Sequence, residues 1–414
     1  MELASQAEML PRLLYVADVP VESSYHGSAL LYRLLEDYPV DRLMILEVAP
    51  HSSLPKRRLP DVRYRTLSMG PARLRYTRFA RLEGSWQSLT AGGGAKRLRR
   101  FCDEFEPEAL LTVAQGYSWL SVARFAQEAK LPLHLILHDH WSVTSLAYEW
   151  LTPWRDRQLG KVYRNAASRL CVSRFMEEDY RLKYGVSGQV LYPSRAKNCP
   201  SFHQPPSSYG RTSKGLVGAF AGSIFDSEYA QLIRNLAECL EARGGHLLLF
   251  GPQSSESLRH WGLDRPGVLF KGLVKSEELI CELREQADFV FVPMVFESSQ
   301  RNMLVSFPSK LTDYTATGLP LLICGPSYCS AVRWAEEYAP VAEVVTSPKI
   351  DQLKSAVVRL EDVEHRRSLG RAASQVGDLL FSHDVCRRTF WSALRADSAD
   401  KQRFTPVPAT VGYD

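Results

Sequence analysis

The sequence shows no secretory leader, no membrane-spanning run and no cysteine framework. The first eleven residues carry Glu2 and Glu8 and have no apolar core, so they do not resemble a signal peptide. No apolar run approaches the roughly 18 residues that a transmembrane helix requires. The eight cysteines are scattered without a CxxC pair, which is the pattern of buried free thiols in a reducing compartment. We therefore expect a cytoplasmic protein with no disulfide frame and no zinc site.

The composition also lacks the biases of disordered, collagen-like and coiled-coil chains. Of 414 residues, 45% are hydrophobic and 23% are charged, which is ordinary for a globular protein. The length is about three times that of a typical domain, so two or three domains are expected.

Basic residues are concentrated in one N-terminal segment. Between Lys56 and Arg100, thirteen Lys or Arg accompany only two acidic residues, a local charge of +11 in a chain of net charge +5. One interpretation is a solvated pair of surface helices. The other is a face that meets an anionic membrane surface, which would place the protein peripherally at the inner face of the membrane, or a phosphate-bearing acceptor. We do not expect nucleic acid as a partner, because no zinc-finger, RNA-binding or bZIP pattern is present.

Short apolar runs alternate with amphipathic stretches in both halves of the chain. The runs are 12–17, 43–48, 109–113, 133–137, 169–172 and 189–192, then 216–221, 246–250, 268–270, 289–292, 320–323 and 341–345. Such strands predict parallel sheets with helices on both faces. The fold class is therefore α/β, with two doubly wound domains that face each other across a cleft and bind ligands at their strand carboxyl ends.

The domain boundaries follow from the less patterned stretches. The segment Ser194–Lys214 is rich in Pro, Ser and Gly and has the composition of a linker. We therefore expect an N-terminal domain over 1–198 and a C-terminal domain over 199–384. A last helix is expected within 385–400, and 401–414 is typical of a loose end.

Small residues follow four strands of the second half, where a phosphate-binding loop needs them. Gly222 and Ser223 follow the first strand, Gly251 the second, Gly272 the third and Pro293 the fourth. Glycine lets a backbone approach a ligand closely, but it also serves ordinary turns. Four such loops in register are better evidence for a site than any one of them.

The strongest motif is SFPSKLTDYTATGLP, over 306–320. It predicts a loop, then a helix that starts near Pro308, and a stop at Gly318. The amides of Ser306 and Phe307 and the side chain of Ser309 would lie at the positive end of that helix, where an anion binds well.

Lys310 and Asp313 lie one turn apart on the same predicted helix. Lys310 can neutralise a diphosphate, and the carboxylate of Asp313 can accept two hydrogen bonds from a ribose diol. The alternative is an ordinary capped helix with an exposed Lys–Asp pair.

The tetrapeptide HDHW ends a strand of the first half. In a site at this strand end, His138 would contact the reacting group, and Asp139 or His140 would orient it. A structural histidine is one alternative. A metal site is another, although adjacent residues splay apart and no third ligand is evident.

Two further loops of the first half follow strands and precede helices, so they are candidates for binding the acceptor. One holds His26 and Gly27, with Gly27 at the helix start; the other holds Tyr117. Tyr117 could stack on a sugar ring, but ordinary packing explains an aromatic residue there equally well.

The chain resembles GT-B nucleotide-sugar glycosyltransferases of the retaining family-4 type. FPSKLTDYTATGLPLLI is similar to the block P-x-K-x-x-(E/D)-Y-x-A-x-G-x-P, and HDHW, GAFAGSI, FGP, VLFKGLV and ADFVFVP occur in the order that this family uses. The resemblance implies two Rossmann-like domains, an acceptor on the first and a sugar nucleotide on the second. It also implies that the last helix, Val385–Ala396, crosses back to the first domain.

The resemblance also implies roles for individual residues. The catalytic set is His138, Asp139 and Lys310, and the donor-binding set is Gly222, Ser223, Gly251, Gly272, Val274, Glu297, Ser306, Phe307, Ser309, Lys310 and Asp313. The loop Phe270–Val274 would frame the base. The implied reaction moves a hexose from a UDP- or GDP-sugar to a glycan or lipid-linked acceptor with retention. It uses no cofactor and no metal ion.

Two departures from the family pattern keep other functions open. Val305 stands eight residues before Asp313, where the family usually has a glutamate, and the nearest acid upstream is Glu297. The Arg and Lys that usually follow Gly222 are also absent, so Arg195 or Arg301 would have to assist Lys310. The alternatives are a catalytically weak partner or sugar-nucleotide-binding protein, and an epimerase or hydrolase on the same fold.

Overall fold

The computed structural model describes residues 10–23, 26–48, 52–68, 74, 77–140, 147–206, 209, 215–296 and 300–395. The chain divides into two compact units, Met1–Tyr192 with Cys386–Asp414, and Pro193–Val385. The boundaries expected from the sequence fall after 198 and 384, against 192 and 385 here. The expected loose end, 401–414, lies outside the described residues.

The N-terminal unit contains a seven-stranded parallel sheet in the order β3-β2-β1-β4-β5-β6-β7. Its strands are β1 Leu13–Ala17, β2 Leu43–Val48, β3 Arg63–Leu67, β4 Ala109–Val113, β5 Leu133–Leu137, β6 Ser168–Cys171 and β7 Gln189–Val190. The strand order reverses between β1 and β4, and ligands of such sheets bind at this switch point.

Helices connect these parallel strands, as crossover connections require. They are α1 His26–Leu35, α2 Ala80–Leu89, α3 Ala91–Phe105, α4 Ser118–Ala129, α5 Thr152–Asn165 and α6 Arg174–Tyr184. A 3.6-residue apolar period marks both α4 and α6, so the sequence alone predicts these two helices at the bounds observed.

The C-terminal unit contains a six-stranded parallel sheet in the order β10-β9-β8-β11-β12-β13. Its strands are β8 Val217–Ala221, β9 His246–Phe250, β10 Val268–Gly272, β11 Phe289–Pro293, β12 Leu321–Cys324 and β13 Ala342–Val345. Its helices are α7 Ser227–Glu241, α8 Ser255–His260, α9 Ser276–Gln286, α10 Gln300–Val305, α11 Ser309–Tyr314, α12 Ser330–Glu337, α13 Ile350–Arg359 and α14 Val363–Phe381. The switch point of this sheet lies between β8 and β11.

The last helix, α15 (His383–Arg395), packs in the core of the N-terminal unit. Phe390 and Trp391 are buried there among leucines of the first strands and of α1. Arg387 donates from Nη1 to the carboxylate of Asp37 at 2.8 Å, and both side chains are largely shielded from solvent. The described part of the chain therefore begins and ends in the same unit.

Part of the basic N-terminal segment forms a strand, which neither interpretation of that segment included. Residues 63–67 form β3, the edge of the first sheet, where Arg63 lies opposite Met44. A charged edge strand has no continuous apolar run to signal it, and its charges oppose pairing with other chains. The later part of the segment does contain two helices, α2 and α3.

The start of the expected linker is packed against the C-terminal unit. Arg195 is 3% exposed and donates from Nη1 to Asp378 at 2.5 Å. Its other nitrogens donate to the carbonyl oxygen of Thr312 at 3.1 Å and to the hydroxyl of Thr315 at 2.9 Å. Arg195 therefore holds the unit together, which is a different role from the donor contact considered from the sequence.

None of the helices in the described ranges is both long and apolar enough to cross a bilayer.

Candidate active site

Gly222 forms the first loop at the switch point of the C-terminal sheet, directly after β8. Its φ is +148°, a value that disfavours side chains, and its N–H donates to the Phe250 carbonyl oxygen at 2.9 Å. A Cβ at this position would lie 2.7 Å from Nζ of Lys310. Only glycine therefore lets the Lys310 ammonium lie against this backbone.

Lys310 is a half-buried cation held by aromatic side chains. Its Nζ donates to Oη of Tyr229 at 2.9 Å and lies 4.3 Å from the ring centroid of Phe220. Burial lowers the pKa of Lys310 to about 7. Among the residues that the structure describes, Lys310 forms no ion pair. A desolvated ammonium group at a strand end, without a carboxylate, is suited to bind an anion.

Tyr314 fixes the end of β8 to the helix that carries Lys310. Its hydroxyl accepts from the Ala221 N–H at 2.7 Å and donates to the Ala221 carbonyl oxygen at 3.1 Å. Lys310 and Tyr314 are four residues apart on α11, so they lie on the same side of that helix. This arrangement sets the position of Gly222 relative to the ammonium group.

His138 lies at the end of β5 in the N-terminal unit, beside the start of α1. A Cβ on Gly27 would lie 3.7 Å from Nδ1 of His138, and among the described residues that buried nitrogen has no hydrogen-bond partner. Burial lowers the pKa of His138, and the charge of Asp139 acts in the opposite direction. A neutral imidazole with an unpaired nitrogen can bind a hydroxyl group.

Asp18, which the sequence reasoning missed, organises the switch point of the N-terminal sheet. It follows β1, is 5% exposed, and its Oδ2 accepts from the N–H groups of Tyr117 and Ser118, both at 2.8 Å. Arg155 donates to the Gly116 carbonyl oxygen at 3.1 Å, and burial lowers the pKa of Arg155 to about 10. The sequence signal that could have identified Asp18 is an acidic residue directly after the first apolar strand.

Sequence and structure comparisons agree on the kind of protein. Residues 33–192 match the family described as glycosyl transferase 4-like domain. Residues 33–192, most of the N-terminal unit, are therefore similar to that domain. This match confirms the resemblance found in the sequence.

Solved glycosyltransferase structures share the architecture of both units. HepE from Anabaena, solved with UDP and glucose, is 14% identical with a TM-score of 0.62, over 92% of this chain and 99% of that chain. Sucrose-phosphate synthase from Thermosynechococcus elongatus is 15% identical, with a TM-score of 0.63 over 92% of this chain and 98% of that chain. Trehalose 6-phosphate synthase from Burkholderia multivorans is 14% identical, with a TM-score of 0.62 over 97% of this chain and 100% of that chain. The two Rossmann-like units therefore have the GT-B fold. No curated protein matches the sequence.

The structure brings the predicted donor glycines together at the strand ends. Gly251 N–H donates to the Gly272 carbonyl oxygen at 2.9 Å, and a Cβ on Gly251 would lie 2.5 Å from the Gly222 carbonyl oxygen. Gly272 has a φ of +75°. Ser223 and Val274 are both half-buried in the loops that continue from these glycines. Glu297 lies outside the described residues.

The helix predicted near Pro308 is confirmed, because α11 begins at Ser309. The amide of Ser306 donates to the Asn302 carbonyl oxygen at 2.8 Å and closes the last turn of α10. This amide is occupied by that hydrogen bond in this structure, and its role in binding a diphosphate stays a prediction. The Phe307 ring packs 5.5 Å from that of Phe381. Asp313 is half-buried on α11, one turn from the lysine.

Several of the N-terminal candidates lie in the core of the N-terminal unit. Tyr117 is 2% exposed and its hydroxyl lies against Gly84, which favours packing over sugar stacking. His140 is also buried, with its ring 6.2 Å from that of Tyr180. The side chain of His26 lies outside the described residues. Within the described ranges, no group of three His, Cys, Asp or Glu side chains could hold a metal ion.

Replacing Tyr314 with phenylalanine tests its positioning role. The change leaves the buried Ala221 N–H without its acceptor, so we expect stability to fall by about 1–3 kcal/mol in urea titrations. It should also weaken nucleotide-sugar binding, because the Gly222 loop loses its anchor. The control is Tyr184→Phe, which removes a hydrogen bond to Asp156 in the other unit and should change stability alone. An unchanged affinity in Tyr314→Phe would show that the loop does not need this anchor.

Proposed function

We propose that the protein transfers a sugar from a UDP-sugar to a hydroxyl acceptor. The observation that carries this proposal is the Lys310 ammonium group, which lies against the Gly222 backbone at the switch point of the C-terminal sheet and forms no ion pair with a described residue. HepE from Anabaena binds UDP and UDP-glucose, and a similar structure from E. coli, described as trehalose-6-phosphate, is bound with UDP-2-fluoro glucose. These neighbours favour uracil over guanine among the bases that the sequence left open.

The proposed chemistry depends on stabilising the departing diphosphate. Negative charge develops on the leaving group as the bond from the anomeric carbon breaks, and Lys310 lies where it can neutralise that charge. Asp313 would bind the ribose, and the loop at Gly272 would frame the base. Because Lys310 supplies positive charge here, we expect transfer to proceed without an added divalent cation.

His138 would act on the sugar that is transferred. Its neutral ring can exchange a hydrogen bond with a sugar hydroxyl, and Asp139 would orient it. We expect retention of configuration, in which the donor phosphate or a backbone carbonyl group accepts the proton of the acceptor hydroxyl. The distinguishing measurement is the anomeric configuration of the product by NMR.

The acceptor is proposed to be a glycan or a lipid-linked glycan. The N-terminal unit carries the strongly basic segment, and an anionic surface or a phosphate-bearing acceptor would match its charge. This part of the proposal concerns the substrate and is independent of donor recognition.

Thermal unfolding with a panel of UDP-, GDP-, ADP- and dTDP-sugars tests donor binding. A ligand at one hundred times its dissociation constant should stabilise the protein by about 2.7 kcal/mol. We expect a shift with UDP-sugars, its loss in Lys310→Ala, and no loss in Lys354→Ala, which changes an exposed lysine paired with Asp351. A shift with no UDP-sugar would contradict the proposal.

A second candidate is a sugar-nucleotide-binding partner of low activity. Val305 occupies the position where related enzymes usually have a glutamate, and it is 3% exposed at the end of α10. It therefore supplies no carboxylate to the donor. Donor binding without transfer or hydrolysis of the sugar, in the presence of glycan and lipid-linked acceptors, would favour this candidate.

A further inference from the structure

The helix α2 presents its polar side to the protein and its apolar side to solvent. Its buried residues are Glu83, Gly84, Ser85, Gln87 and Ser88. Its exposed large side chains are Leu82, Trp86 and Leu89, and the exposed Phe79 directly precedes the helix. Trp86 is 59% exposed and Leu89 is 57% exposed. This is the reverse of the usual amphipathic surface helix.

Hydrogen bonds hold the helix in this orientation. The hydroxyl of Ser85 accepts from the Tyr148 N–H at 3.0 Å, which joins the helix to a neighbouring loop. Gln87 donates from Nε2 to the buried carboxylate of Glu83. Gly84 lies against the hydroxyl of Tyr117, where a Cβ would overlap it. Rotating the helix to bury Trp86 would break these contacts, so the apolar side stays outward.

The four apolar residues form one continuous stripe, called here the 79–89 stripe. They are spaced by three, four and three residues, which places all of them on one side of a helix. Monomeric proteins rarely leave a contiguous patch of large apolar side chains in water. The stripe therefore requires a partner.

Positive charge lies beside the stripe and on the helix that follows it. The guanidinium group of Arg78 lies 5.0 Å from the ring centroid of Phe79, and Arg81 is exposed next to Leu82. The following helix exposes four more basic residues, Lys96, Arg97, Arg99 and Arg100. The single acid between Thr77 and Arg100 is Glu83, which is buried. A second copy of this surface would bring like charges together, whereas an anionic partner would complement them.

We propose that the 79–89 stripe is a membrane anchor that inserts into an anionic lipid surface. Trp86 and the leucines would enter the boundary between headgroups and acyl chains, while the arginines contact lipid phosphates. The inference deepens the proposed function, because a lipid-linked acceptor would then be met where the enzyme is bound. It rests on that function only for the identity of the acceptor.

Flotation with vesicles tests the anchor without measuring activity. We expect binding to vesicles of 30% phosphatidylglycerol in phosphatidylcholine, and weak binding to phosphatidylcholine alone. Trp86→Glu should lower the partition coefficient by about tenfold or more, as should the double change Arg78→Glu and Arg81→Glu. The matched control is Leu379→Glu, a leucine 71% exposed on the other unit, which should bind like the parent protein.

Insertion is separated from surface attraction by brominated lipids, which quench tryptophan fluorescence on contact. Trp86→Phe keeps an apolar ring, so it should bind vesicles but show less quenching. Equal vesicle binding by the parent protein and Trp86→Glu, or no binding to anionic vesicles at low salt, would overturn the proposal. A dimer that Trp86→Glu converts to monomer, without vesicle binding, would instead identify a self-association surface. UDP-sugar thermal shifts should be unchanged in Trp86→Glu, so failure of the anchor and failure of donor binding are distinguishable.

Discussion

Replacing Lys310 with alanine should lower kcat/KM for sugar transfer by about 100- to 1,000-fold, the effect of removing one preorganised group that stabilises developing negative charge. No other described cation lies against the Gly222 backbone, and Arg195 is engaged with Asp378. The loss should appear in both kcat and donor affinity, because the ammonium group contacts the diphosphate before and during bond cleavage. Steady-state kinetics with a UDP-sugar measures both.

The same lysine is expected to reduce the stability of the free protein. Its ammonium group is desolvated and has no carboxylate partner within the described ranges, so Lys310→Met, which keeps the length of the side chain, should raise the urea midpoint at pH 7. A variant that is more stable and inactive would show that Lys310 serves function and lowers the stability of the folded protein. A variant that keeps full activity would show that the diphosphate binds elsewhere, and one that is less stable would show that the ammonium group stabilises the fold.

The sheets could be predicted from the sequence because their strands are buried on both faces. Runs such as Leu133–Leu137 and His246–Phe250 match the observed bounds, since an uninterrupted apolar strand has few alternatives. β3 was missed because an edge strand with alternating arginines lacks that signal. Helix α10 was missed because six residues are too few to show a helical period.

The candidate site could be predicted only where a motif fixed the local geometry. Lys310 and Gly222 were found because a glycine after a strand and a lysine at a helix start each have a recognisable spacing. The side chains that hold them, Tyr229 and Tyr314, come from other positions in the chain and read as ordinary core aromatics. Their roles depend on packing between distant segments, which no local pattern reports.

The orientation of α2, with its apolar side toward solvent, could not be predicted for a related reason. In the sequence, the basic segment stands out only by its net charge, because charge is visible in composition. That Trp86 faces outward and Glu83 inward is decided by contacts with Tyr148 and Tyr117, which lie far along the chain. Local periodicity identifies an apolar stripe, but it does not say which side of the helix the protein covers.

Donor affinity should weaken as pH rises, and the dissociation constant of a UDP-sugar should increase by about 30-fold between pH 6 and pH 8.5. The pKa of Lys310 is about 7 in the free protein, so half of the molecules lose the cation near that pH. The anionic donor binds the protonated form, and each further pH unit then approaches a tenfold loss. Burial raises the pKa of the Tyr229 hydroxyl, so this partner stays protonated throughout the range.

The linkage has a defined sign for folding as well. The folded-state pKa of Lys310 is below its ordinary value of 10.5, so the unfolded chain binds more protons between about pH 7 and 10.5. The contribution of Lys310 to the free energy of unfolding therefore rises with pH across that window, while the affinity for the donor falls. Isothermal titration with the parent protein and Lys310→Arg, whose guanidinium group stays charged, separates this lysine from other titrating groups. His138→Gln is the control for the histidine at the other sheet, and a parent affinity that is constant from pH 6 to 8.5 would show that Lys310 is not the cation that binds the donor.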